Sequence, residues 1–64
     1  MQNVQYTINA QRFYVAEDVA KIMGISKSKA YKIIRELNDE LSKQGKIVVS
    51  GKVSRRYFDE KVYI

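Results

Sequence analysis

The stretch AEDVAKIMGISKSKAYKIIRELNDEL, residues 16–41, decides the fold. It reads as a short helix over Ala16 to Met23, a tight Gly24-Ile25-Ser26 turn, and a longer helix from Lys27 to Lys43 or Gln44. Glu17 and Asp18 fall in the first turn of helix one, where the free backbone N–H groups favour negative charge. Val19, Ala20, Ile22 and Met23 supply its apolar side. Gly24 ends it, since glycine enters the left-handed backbone region at no steric cost. Ser26 is suited to cap helix two, its hydroxyl accepting from a free N–H.

In helix two, Ala30, Ile33, Ile34, Leu37 and Leu41 recur at spacings of three and four, which makes one apolar stripe. Ser28, Lys32, Arg35 and Asp39 fall on the opposite face, with Lys27 and Tyr31 flanking it. The charge order is inverted. Lys27, Lys29, Lys32 and Arg35 lie toward the positive end of the helix dipole, and Glu36, Asp39 and Glu40 toward its negative end. Each such placement costs about a few tenths of a kcal/mol. A local rule broken so consistently, with no structural gain visible in the sequence, points to a functional constraint. A polyanion meeting the head of this helix would supply one.

Composition narrows the classes. Sixty-four residues make one domain with a thin core, burying about 60% of the surface that the unfolded chain exposes. Cys and His are both absent, so there is no thiolate or imidazole for a metal and no histidine general base. No cofactor site, metal site or enzymatic activity is expected. Apolar runs are too short to span a membrane, and the N-terminus lacks a signal-peptide pattern; the expected compartment is the cytoplasm. Lys and Arg number 12 against 7 Asp and Glu, a net charge of +5. That balance favours an anionic partner, nucleic acid foremost, although ordinary solubility charge would look the same in composition alone.

Either side of the two helices the pattern changes. Val4, Tyr6 and Ile8 alternate with polar residues, which fits a short strand or an arm, so residues 1–13 are set apart from a domain over 14–64. Arg12 to Val15 reads as an extended piece leading into helix one. After Gly45, the β-branched run Ile47-Val48-Val49 predicts a strand, and Ser50-Gly51-Lys52 a turn. Val53 to Tyr63 is either a returning strand or a short helix from Arg55 to Lys61. The helix is favoured: Ser54 would cap it, and Val53 and Phe58 stand where a hydrophobic staple needs them. Tyr57, Phe58, Val62 and Tyr63 then form a lid on the core, and Asp59-Glu60 a solvated face.

Counted from Ala16, the residues Ala20, Gly24, Ile25, Ala30 and Ile33 take the fifth, ninth, tenth, fifteenth and eighteenth places of a helix-turn-helix. In that motif the start of the second helix enters the major groove. Here it presents Lys27, Ser28, Tyr31 and Lys32, with Arg35 further along. Lys and Arg can hold phosphates or reach guanine O6 and N7, and Ser28 and Tyr31 can donate to either. A helical hairpin with a merely solvated basic face is the competing reading.

Two blocks carry a family resemblance. They are Tyr14 through Tyr31, and Gly45-Lys46-Ile47 with Gly51-Lys52-Val53-Ser54-Arg55-Arg56-Tyr57-Phe58. The chain resembles the small winged helix-turn-helix proteins of the excisionase and MerR type found on bacterial mobile elements. The resemblance implies a mainly α fold with a small β wing. It further implies a wing tip at Ser50, Gly51 and Lys52, and Arg55 and Arg56 close to phosphate. MerR activators continue into a long dimerisation helix and an effector site; with Ile64 so near, sensing of metals or drugs is not expected.

The expected function is therefore sequence-specific binding of double-stranded DNA, as an excisionase-like architectural factor or a small repressor of a mobile element. Lys27, Ser28, Tyr31, Lys32 and Arg35 would face the groove, and Lys52, Arg55 and Arg56 the flank. Further copies of the protein and an integrase are the expected protein partners. The rival expectation is an adaptor using the same basic face on an acidic protein.

Overall fold

The computed structural model describes residues 12–62. Strand β1 (Phe13–Val15) leads directly into α1 (Ala16–Met23), and a turn joins it to the long α2 (Lys27–Lys43). A loop then reaches β2 (Lys52–Ser54), which runs straight into α3 (Arg55–Lys61). The two strands pair antiparallel in the register Phe13–Ser54, Tyr14–Val53 and Val15–Lys52. This is a mainly helical winged helix with a small two-stranded sheet. The alternation of Val4, Tyr6 and Ile8 and the lid residue Tyr63 lie outside the described residues.

Local chemistry explains where the elements begin and end. At the start of α1 the Val15 N–H donates to Asp18 Oδ2 at 3.0 Å, so an acid in the first turn satisfies a backbone donor that the helix leaves free. Gly24 ends the helix at φ 66°, and the Ile25 N–H donates back to the Ala20 carbonyl at 3.0 Å. Ser26 Oγ accepts from the Lys29 N–H at 3.1 Å, which caps α2. At the far end the Lys46 N–H returns to the Leu41 carbonyl at 3.0 Å across Gly45. The short helix expected after the turn is present, with Ser54 Oγ accepting from the Tyr57 N–H at 3.3 Å.

The core lies where α1, α2, the sheet and α3 meet. Ala16, Val19, Ala30, Ile34, Leu37, Val53 and Phe58 form it, and Ala20, Met23, Ile25 and Ile33 pack around its rim. The stripe on α2 is thus buried as expected, with Ile33 only half-buried. Val53 and Phe58, on either side of the Ser54 cap, are both fully buried. The Tyr14 ring stands edge-on to Phe58, centroids 5.4 Å apart, so β1 and α3 close the core together.

One element differs from expectation. Ile47-Val48-Val49 does not form a strand; only Val49 makes a single bridge to Lys52, and Ile47 is 95% exposed. The reason is the shortness of the available edge. β1 takes one edge of β2. On the other edge β2 is only three residues long before α3 begins at Arg55, and the Asn38 amide occupies the Val49 and Lys52 carbonyls, so the pairing stops at one bridge. Strand propensity without a partner strand does not make a strand.

Candidate nucleic-acid interface

The fold turns one long edge of α2 outward. Lys27, Ser28, Tyr31, Lys32 and Arg35 are all exposed, Tyr31 to 49%. The apolar stripe is committed to the core, so these polar side chains have no other face to occupy. Beside them the loop after α2 folds back as a short wing. The Lys52 N–H donates to the Val49 carbonyl at 3.1 Å, which closes the turn over Ser50 and Gly51. Tyr31, Arg35 and Asp39 of α2 line one groove together with Ser50 and Gly51. Helix and wing tip therefore share a surface, as the winged helix-turn-helix reading requires.

Asn38 holds this arrangement, and sequence reasoning misses it. Its side-chain amide donates to the Val49 carbonyl at 3.1 Å and to the Lys52 carbonyl at 2.8 Å, one on each side of the wing turn. A signal exists: Asn38 stands four residues after Ile34 and three before Leu41, a polar residue on the buried stripe. At 8% exposure it is the buried polar residue among the described ones.

The basic residues of β2 and α3 are arranged differently. Lys52 is exposed at the base of the wing. Arg55 and Arg56 line a second groove with Arg12, Phe13 and Asp59. Arg55 is engaged within the chain: its Nε lies 3.6 Å from Asp59 Oδ2 and its guanidinium 5.9 Å from the centre of the Tyr14 ring. Arg56 also borders a groove with Leu41, Gln44 and Ile47, which places it toward the tail of α2. Seventeen residues of helix separate the head from the tail by about 25 Å. Arg56 is thus not brought beside Lys27 or Ser28.

Two of the apparently misplaced charges on α2 have partners that the sequence does not reveal. Glu40 Oε1 accepts from the Tyr57 hydroxyl at 2.7 Å and lies 3.3 Å from Lys61 Nζ. The Tyr57 hydrogen bond, then Lys61, hold the Glu40 carboxyl below its ordinary value, and the same contacts raise Tyr57 and Lys61. Glu40 therefore fastens α3 to α2, a structural gain that corrects part of the charge argument. Lys27 Nζ lies 3.6 Å from Glu17 Oε2, but both side chains are mostly exposed and such a pair is weak. For Lys29, Lys32 and Arg35 no ion pair is found among the described residues. Among those residues no cluster of His, Cys, Asp or Glu could hold a metal, and no helix is long and apolar enough to cross a membrane.

A short helix, a glycine-ended turn, a basic outward-facing second helix and a wing seated against it define a winged helix-turn-helix protein. No protein-family model and no solved structure matches the chain. Among curated proteins, ICEBs1 excisionase of Bacillus subtilis (strain 168) is 46% identical over 48 residues, spanning 75% of this chain and 75% of that protein. The chain belongs to the excisionase family.

Proposed function

We propose that the protein binds double-stranded DNA sequence-specifically and has no enzymatic activity, acting as an excisionase-like accessory factor in recombination of a mobile element. The observation that carries this reading is the groove shared by Tyr31 and Arg35 of α2 with Ser50 and Gly51 of the wing. A duplex laid along it meets helix and wing at once. The DNA-binding unit takes in residues 14–64, with Phe13 paired onto it through β1.

The roles follow from chemistry. Lys27, Lys32 and Arg35 neutralise phosphates or donate to guanine edges, and Ser28 and Tyr31 donate hydrogen bonds to bases or backbone. Lys52 anchors the flank beside the wing. Arg55 and Arg56 reach phosphate further along; for Arg55 this means giving up its exposed pair with Asp59, a small loss. One copy covers few base pairs, so specificity comes from several copies on repeated sites or from a dimer, with an integrase as protein partner. The cytoplasm is where such a duplex is met.

Kinship to ICEBs1 excisionase supports the architectural role over a small repressor. Circular-permutation bending tests the difference. An architectural factor retards a probe most when its site is central, whereas position-independent mobility would favour the repressor. Duplex left unbound at low salt, with an acidic protein captured instead, would favour an adaptor and end the DNA reading.

A further inference from the structure

Asn38 reaches the wing from α2; otherwise the Ser50-Gly51 turn is held by β2, paired with β1, on one side and by half-buried Val48 on the other. Ile47 is almost wholly exposed and Val49 half so, so the loop leading into the wing has no core of its own. Its turn is closed by one backbone hydrogen bond, from Lys52 to Val49. The Asn38 amide donates to the carbonyls of the same two residues, at 3.1 and 2.8 Å. An NH2 group has two protons, and both are used. A fork of this kind sets the angle of the turn as well as its distance, because both carbonyls must point at one nitrogen.

We infer that Asn38 is the positioning residue that fixes the wing relative to α2, so that both engage one duplex without prior rearrangement. The inference rests on the DNA-binding reading above and adds to it the residue that couples the two contacts. A wing held by ordering on DNA would lose affinity to the ordering step; a wing held beforehand does not.

Two substitutions separate positioning from general stability. Asn38→Leu keeps the branched shape and the number of heavy atoms, raises helix preference and removes both donors. Asn38→Asp keeps shape and turns a carboxylate toward two carbonyl oxygens. In the free protein, amide exchange at Lys52 should speed up in both variants while amides in the middle of α2 stay protected. On duplex selected from a random pool by the wild type, affinity should fall by about tenfold. The salt slope should shrink by about 0.9 for each phosphate that the wing releases. Footprint protection should vanish at the flank and persist in the major groove.

Adding Lys52→Ala to Asn38→Leu should cost less than it does in the wild type, since an unfixed wing has already lost that contact. A folded Asn38→Leu protein with wild-type affinity and an intact flank footprint would overturn the inference and leave the DNA reading standing. So would equal loss of both halves of the footprint. A wild type that selects no duplex overturns the DNA reading itself, and the role of Asn38 with it.

Discussion

The Tyr57 hydroxyl donates to Glu40 Oε1 at 2.7 Å, tying the first turn of α3 to the last turns of α2. Lys61 closes on the same oxygen at 3.3 Å. The clasp has a pH window. Glu40 is depressed below its ordinary 4.5, so its contribution is whole above 4.5 and is lost as pH falls through the lower folded value. Tyr57 is raised above 10.0, so its contribution is whole below 10.0 and is lost as pH rises through the folded value. Tyr57→Phe should therefore lower the melting temperature by a constant amount between pH 4.5 and 10.0. The gap to the wild type should narrow outside that window. Glu40→Gln should melt lower too, yet bind duplex as the wild type does, because Glu40 faces α3. Melting curves across pH and one binding titration check both.

Phe58 carries more than its share of so small a core. It is fully buried, meets Tyr14 edge-on and sits behind the Ser54 cap. Truncating a buried Phe to Ala costs about 3–5 kcal/mol. A domain of 64 residues has about 3–10 kcal/mol in all. Phe58→Ala should therefore remove about a third of the stability or more, seen as a urea midpoint shifted well toward zero. A midpoint moved only slightly would mean that α3 is dispensable to the core.

Gly24 tests the turn by backbone alone. It stands at φ 66° with open space where a Cβ would be, so any penalty of substitution is conformational rather than a clash. Gly24→Ala should cost about 1–2 kcal/mol, and Gly24→Asn less, since Asn tolerates the left-handed region. Equal losses would indicate that the side chain, and not the dihedral, is resisted. Urea denaturation of both variants gives the answer.

The helices and their caps were legible because each rests on local chemistry. Asp18, Gly24, Ser26, Gly45 and Ser54 act within four or five residues of themselves, and the Ala30–Leu41 stripe declares its face by spacing. What escaped the sequence was what crosses the chain. β1 takes β2 as partner across 36 intervening residues. Asn38 meets carbonyls 11 and 14 residues away, and Glu40 a hydroxyl 17 residues away. No periodicity announces such pairings. In the candidate interface, the exposed cations of α2 followed from the stripe. The seating of the wing and the engagement of Arg55 with Asp59 and Tyr14 did not.

The central claim is that the cations at the head of α2 hold duplex DNA, and the salt dependence of binding tests it most directly. Fluorescence anisotropy on a fixed duplex should give log Kd rising steeply and linearly with log salt, at about 0.9 per phosphate neutralised. Lys32→Ala and Arg35→Ala should each weaken binding and reduce that slope by about one, whereas Lys43→Ala, at the tail of the same helix, should change neither. A wild type whose binding is indifferent to salt, or a Lys43→Ala variant as impaired as Lys32→Ala, would contradict the account.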